Sequence, residues 1–278
     1  YRKRVSICMN YYKLFIIITI NFLCLEIKSQ TQEVFPLGTS PSGADVAYKE
    51  WSPWANPAST SHTDKTIIKI GFENRYFAKE LCNEYIGFIV PTPYFNISGS
   101  YNFFGFADYN EMMAALTLGK KFGKVAIGIE FDYFNMFLAS ENIYRHAFTA
   151  QVGIQAEITK RFTLGARIFN PIFSKITFED TPRKLPVCMH LGANYEPINN
   201  LNLLFQLGYT LGNTIDWAFG VEYEIMKFIS VRTGIRGINY VIPQIGVGLN
   251  FSGFHFDLNV ESDFRIGTIL LSSLSYRF

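Results

Sequence analysis

Apolar and polar residues alternate along most of this chain. In "KVAIGIEFDYFNMF", Val125, Ile127, Ile129, Phe131 and Tyr133 share one side, and Ala126, Gly128, Glu130 and Asp132 share the other. "RHAFTAQVGIQAEITKRF" sets Phe148, Ala150, Val152, Ile154, Ala156 and Ile158 against Gln151, Gly153, Gln155 and Glu157. "TIDWAFGVEYEIMKF" sets Ile215, Trp217, Phe219, Val221, Tyr223 and Ile225 against Asp216, Gly220, Glu222 and Glu224, and "ISVRTGIRG" puts Arg232 and Arg236 on one side. Near the C-terminus, Phe254, Phe256, Leu258 and Val260 alternate with His255, Asp257, Asn259, Glu261 and Asp263. A period of two sustained over so many segments is the signature of β-strands, and hardly any stretch keeps a helical period.

About fourteen such segments fit between residues 66 and 278, the second over 84–93. Tight turns join them, as at Lys120-Lys121-Phe122-Gly123-Lys124, Pro197-Ile198-Asn199-Asn200 and Ser252-Gly253. The longest irregular stretches are 173–185 and 137–144. Several segments run to ten residues or more, where soluble strands commonly have about five or six and a membrane-crossing strand needs about 9–11. A closed barrel that turns its apolar side to lipid and its polar side to a lumen accounts for both the length and the alternation. The expectation is therefore an all-β protein, a closed antiparallel transmembrane β-barrel of about fourteen strands over 66–278, with a short N-terminal plug.

Composition agrees. Charged residues are 17% of the chain and aromatics another 17%, with 27 Phe and 16 Tyr; soluble domains carry about 25% charged residues. A net charge of +2 gives no reason to expect a nucleic-acid partner.

Residues 1–29 read as a signal peptide, with extra residues ahead of Met9. Lys13 is followed by an apolar run from Leu14 to Leu25 and by small Ser29, so the mature chain is expected to begin at Gln30. Bulky Leu23 argues against Cys24 as a lipoprotein cysteine. Cys82 and Cys188 remain, without a C-x-x-C spacing, and their pairing is left open.

On the polar sides, Lys69, Glu73 and Arg75 are followed by Glu130, Asp132, Glu157, Arg161, Arg167, Glu222, Glu224, Arg232, Arg236, Asp257, Glu261 and Asp263. Both signs occur, and unpaired charge away from bulk water is costly, so a lumen network of ion pairs is expected rather than a selective pore. At the end of the chain, Leu274, Tyr276 and Phe278 fall on one side of the last strand. This resembles the signal by which bacterial outer-membrane barrels are recognised for assembly.

Residues 30–65 do not alternate and are rich in small residues, Pro and Trp. Within them, "GADVAYKEWSPWANPAS" resembles the N-terminal signature of the FadL-like and PorV/PorQ-like outer-membrane barrels of the Bacteroidota. The residues that carry the likeness are Asp45, Trp51, Trp54 and the Asn56-Pro57-Ala58 triplet. "LGARIFNPI", residues 164–172, is similar to a mid-barrel element of the same family. The resemblance implies a fourteen-stranded barrel in the outer membrane of a Gram-negative bacterium, with the N-terminal segment folded inward as a plug.

Two functions follow from it. FadL-type members take up hydrophobic molecules; here Phe35, Leu37, Trp51 and Trp54 would wall an apolar pocket. PorV-like members serve as partner subunits in type IX secretion or related outer-membrane machines. Short loops and a charged lumen make the partner subunit the leading expectation and the uptake channel the alternative. Its partners would be outer-membrane lipid and lipopolysaccharide, and other outer-membrane or periplasmic proteins in a larger complex. No G-x-S-x-G, H-E-x-x-H, P-loop or paired C-x-x-C points to an enzyme or a cofactor. His146, His190 and His255 are isolated in sequence.

Overall fold

A computed structural model describes residues 43–140, 142–177, 182–212, 215–237 and 240–278. The expected signal peptide, Phe35, Leu37 and the first part of the expected plug lie outside them.

The strands, in chain order, are β1 (Ile67–Arg75), β2 (Cys82–Val90), β3 (Asn96–Phe106), β4 (Tyr109–Phe122), β5 (Val125–Leu138), β6 (Ile143–Thr159), β7 (Phe162–Phe169), β8 (Lys175–Thr177), β9 (Pro182–Lys184), β10 (Cys188–Ile198), β11 (Leu201–Thr210), β12 (Ile215–Met226), β13 (Ile229–Gly237), β14 (Val241–Phe251), β15 (Phe254–Asp263) and β16 (Gly267–Arg277). All but β8 and β9 form one closed antiparallel barrel of fourteen strands. Sequence neighbours pair throughout, with β7 meeting β10 and β1 meeting β16. Closure removes every sheet edge, so each strand finds its backbone partners within the wall, as a lipid setting requires.

Alternation in the sequence becomes alternation across this wall. In β14, Ile242, Gln244, Gly246 and Gly248 are buried on the lumen side, whereas Ile245 and Val247 are 66% and 41% exposed. Outward Leu191, Phe219 and Phe256 are exposed in the same way on other strands. A continuous apolar belt of this extent does not occur on soluble monomers and matches a transmembrane barrel.

Two details differ from expectation. The second strand runs from Cys82 to Val90, because Pro91 and Pro93 cannot donate to the ladder and end it early. Residues 173–185 contain the β8–β9 hairpin, and β5 and β6 extend into 137–144 from both ends, through Leu138 and from Ile143. The β4–β6 wall is taller than its surroundings, with 17 residues in β6 against 9 in β1. One rim carries short turns, including Gly123-Lys124, Lys160-Arg161, Asn199-Asn200 and Ser252-Gly253; the other carries the longer connection with β8 and β9. Cys82 and Cys188 are both free thiols.

Candidate functional site

The segment from Gly43 to His62 lies against the lumen side of the wall. It cannot form a strand itself, because Pro53 and Pro57 lack donors and no alternation runs through it. It contains a 3-10 turn, Pro57–His62, opened by Asn56. The Asn56 side-chain oxygen accepts from Ala58 N at 3.1 Å, and Pro57 occupies the first position, where a missing N–H does no harm. Ala44, Val46, Ala47, Trp51, Trp54, Ala55 and Ala58 are all buried.

Glycines on the wall make room for it. A methyl group at Gly165 would stand 2.1 Å from Val46 O, one at Gly128 2.2 Å from Pro57 C, and one at Gly153 1.8 Å from Asn56 Oδ1. Gly87, Gly119 and Gly192 meet Pro53, Thr60 and Val46 in the same way. Only a residue without Cβ lets two backbones approach this closely.

Side-chain amides then satisfy the irregular backbone, which has no strand ladder to turn to. Gln155 Nε2 donates to Val46 O (3.0 Å) and Tyr48 O (2.9 Å), and Asn96 Nδ2 donates to Thr60 O and Thr63 O (both 2.8 Å). Gln206 Oε1 accepts from Val46 N at 3.1 Å. In return Asn56 Nδ2 donates to Val46 O at 2.6 Å and reaches the wall carbonyls of Ile154 and Ala166 at 3.2 and 3.3 Å. Trp54 holds φ at +57°, a region L-residues seldom adopt. Arg167 Nη1, donating to Trp54 O at 2.9 Å, and Tyr85, edge-on at 6.2 Å, keep it there.

The charged residues form separate groups rather than one network. At the largest, Arg232 donates through Nε to Glu222 at 2.7 Å and through Nη1 to Asp257. Lys69, Ser273 and His255 also face Asp257, at 4.0, 3.1 and 2.8 Å. Arg232 reaches across β14 to β15 because Gly248 stands between; a methyl there would lie 3.3 Å from Arg232 Nη2 and 2.4 Å from Ser230 Oγ. Tyr48 ties this group to the inner segment, donating to Glu222 with Glu50 Oε2 3.2 Å away. Burial, together with the Glu222 and Glu50 charges, raises the Tyr48 phenol well above its ordinary range and keeps it a donor.

Arg167 pairs with Asp45 at 3.3 Å. Arg236 donates to Glu261 at 2.8 and 3.0 Å, while Asp263 accepts from Tyr240 OH at 2.7 Å. Glu130 accepts from Thr117 and from Gln151, and Asp132 stands buried beside it, outside the ion pairs.

Three residues expected in the lumen lie elsewhere. Glu224 is exposed, since the register slips between Glu224 and Met226 as the strand enters its turn. Glu157 sits half-exposed at the short-turn rim with Lys121 (2.9 Å) and Lys49 (3.6 Å). Arg161 is exposed in a turn, where it donates to Pro197 O. Leu274 and Phe278 are exposed on the outer wall beside Tyr276, whose ring lies 4.6 Å from Phe254 and 4.8 Å from Phe278. The histidines meet other partners: His62 bonds Gln155, His146 bonds Tyr133, and His190 lies 3.4 Å from Arg167 Nε and 3.9 Å from Asp216. None of the described histidines hydrogen-bonds a serine.

The wall glycines and amides were missed as a set. Their signal is an inward Gly flanked two residues away by inward Gln, as in Gln151-Val152-Gly153-Ile154-Gln155.

Fold and site together define a transmembrane β-barrel with a chain segment seated on its lumen wall. Among solved structures, the chain is similar to the Pseudomonas putida toluene transporter TodX, with a TM-score of 0.64, 9% identity, and coverage of 86% of this chain and 96% of that one. It is also similar to a Pseudomonas aeruginosa FadL homologue, with a TM-score of 0.62, 12% identity, and coverage of 88% and 99%. Identities this low establish a shared fold. The sequence matches no family model and no curated protein. The FadL-like half of the resemblance thus has support in the fold, whereas the PorV/PorQ-like and Bacteroidota half finds none in these comparisons.

Proposed function

We propose that this chain is a FadL-type channel in the outer membrane of a Gram-negative bacterium, admitting small hydrophobic molecules, with residues 43–62 acting as the plug of its lumen. The short-turn rim then faces the periplasm, as is usual for such barrels. The observation that carries the reading is the built berth: Gly128, Gly153 and Gly165 leave room for the segment, and Gln155 and Asn96 hold its backbone. It is joined by a barrel fold shared with a toluene transporter and a FadL homologue. This reverses the leading sequence expectation of a partner subunit in a type IX-like machine. The charged group around Arg232 favours that second reading, because an apolar solute would have to avoid it.

One experiment separates the two. Purified protein should bind toluene or a long-chain fatty acid saturably and elute without larger partners. Co-elution with other outer-membrane proteins, without saturable binding, would return the partner-subunit reading.

A further inference from the structure

The turns β4–β5 and β6–β7 neighbour each other on the short-turn rim and are unusually basic. Lys120, Lys121, Lys124, Lys160 and Arg161 are all exposed there. The rim's acids on this side are already engaged: Glu157 by Lys121 and Lys49, and Glu196 by Lys49. Lys120, Lys124 and Lys160 form no ion pair among the described residues. A backbone hydrogen bond from Glu157 N to Lys124 O, at 2.8 Å, ties the β4–β5 turn to the end of β6, and one from Glu196 N to Arg161 O, also 2.8 Å, ties the β6–β7 turn to β10.

Lys120 occupies the lipid-facing register of β4, after outward Leu116 and Leu118, and its ammonium lies 5.5 Å from the Phe122 ring. An outward aromatic at a strand end marks the membrane boundary. A lysine beside it lays its stem on the apolar wall and its charge at headgroup depth. We propose that these two turns form a seat for the headgroup of an anionic glycerophospholipid in the leaflet on the short-turn side. The inference rests on the membrane-embedded, outward-apolar reading of the wall. An acidic protein segment fits less well, because Lys120 faces lipid rather than the mouth of the barrel.

The test is lipid retention measured by native mass spectrometry on the folded full-length barrel, presented with equal amounts of phosphatidylglycerol and phosphatidylcholine. Each basic group near an anionic surface contributes roughly a fivefold preference, so three should give at least about a tenfold excess of phosphatidylglycerol. Lys120→Gln/Lys124→Gln/Lys160→Gln should abolish the excess, and the matching Lys→Arg triple variant should keep it. Equal retention of both lipids by the wild type overturns the proposal whatever the variants do. An excess that the Gln variant keeps, or one displaced as readily by a poly-glutamate peptide, overturns it too. Heat-modifiable mobility, recorded in parallel, tells failure of this seat (barrel intact) from failure of the membrane reading (no folded barrel in detergent).

Discussion

Asn56→Ala isolates the seating of the inner segment. Asn56 lies off the barrel ladder, so its loss leaves strand pairing untouched. Its side chain makes bonds of 2.6 Å to Val46 O and 3.1 Å from Ala58 N, and longer ones of 3.2 and 3.3 Å to Ile154 O and Ala166 O. The wall carbonyls already belong to strands, and Val46 O keeps Gln155 Nε2 as a second donor, so the bond from Ala58 N dominates. Losing it is the loss of an N-cap, typically about 1 kcal/mol and up to about 2. The seat should therefore weaken by about 1–2 kcal/mol. That corresponds to roughly five- to thirty-fold faster local opening, at about 1.4 kcal/mol per tenfold. Hydrogen exchange read by mass spectrometry over residues 51–62 should show the acceleration, with β5 and β6 unchanged. Asn56→Asp keeps the Ala58 bond but sets a carboxylate against the carbonyls of Val46, Ile154 and Ala166, so it should open the segment at least as much. Unchanged exchange in both variants would refute the reasoning.

Gly165→Val should expel the segment, since even a methyl there meets Val46 O at 2.1 Å; chymotrypsin should then cut near Trp51 and Trp54 while the barrel keeps its heat-modifiable mobility. Arg232→Met leaves Glu222 buried without its cation, while Asp257 keeps Lys69 and His255 beside it; the loss should destabilise the barrel by about 3–5 kcal/mol, seen as a lower unfolding temperature in detergent, with Glu222→Gln in the same chain recovering part of the loss. Burial, then the Lys121 charge, lowers the His62 imidazole below its ordinary value, so the folded segment takes up its proton later than the unfolded chain does. Stability from this group is complete above the ordinary imidazole range and falls as pH drops through it; exchange of residues 58–63 should quicken on acidification, and His62→Gln should flatten that dependence. Deletion of 30–62 should leave a folded barrel with raised permeability to small solutes in reconstituted membranes, and unchanged permeability would count against a plug.

The wall was legible because a barrel strand writes its two environments at a period of two. Phe254 to Asp263 shows lipid and lumen in turn, and the structure keeps that register. Strand ends were less legible where local chemistry competes, as at Pro91 and at the slipped register after Glu224. Pairing among the lumen charges was foreseeable from their mixed signs. Their partition into groups was not, because it depends on which neighbouring strand presents a glycine, as Gly248 does between Arg232 and Asp257. The inner segment showed itself through Asn56-Pro57-Ala58, but its berth is spread over strands far apart in sequence.

The most direct measurement is uptake by intact cells of a strain without its own channel for such molecules. Expression of this protein should raise the initial rate of entry of labelled toluene, saturably, and leave entry of a charged solute of similar size unchanged. A rate of toluene entry equal to that of cells carrying no barrel, with the protein folded in their outer membrane, would contradict the channel reading.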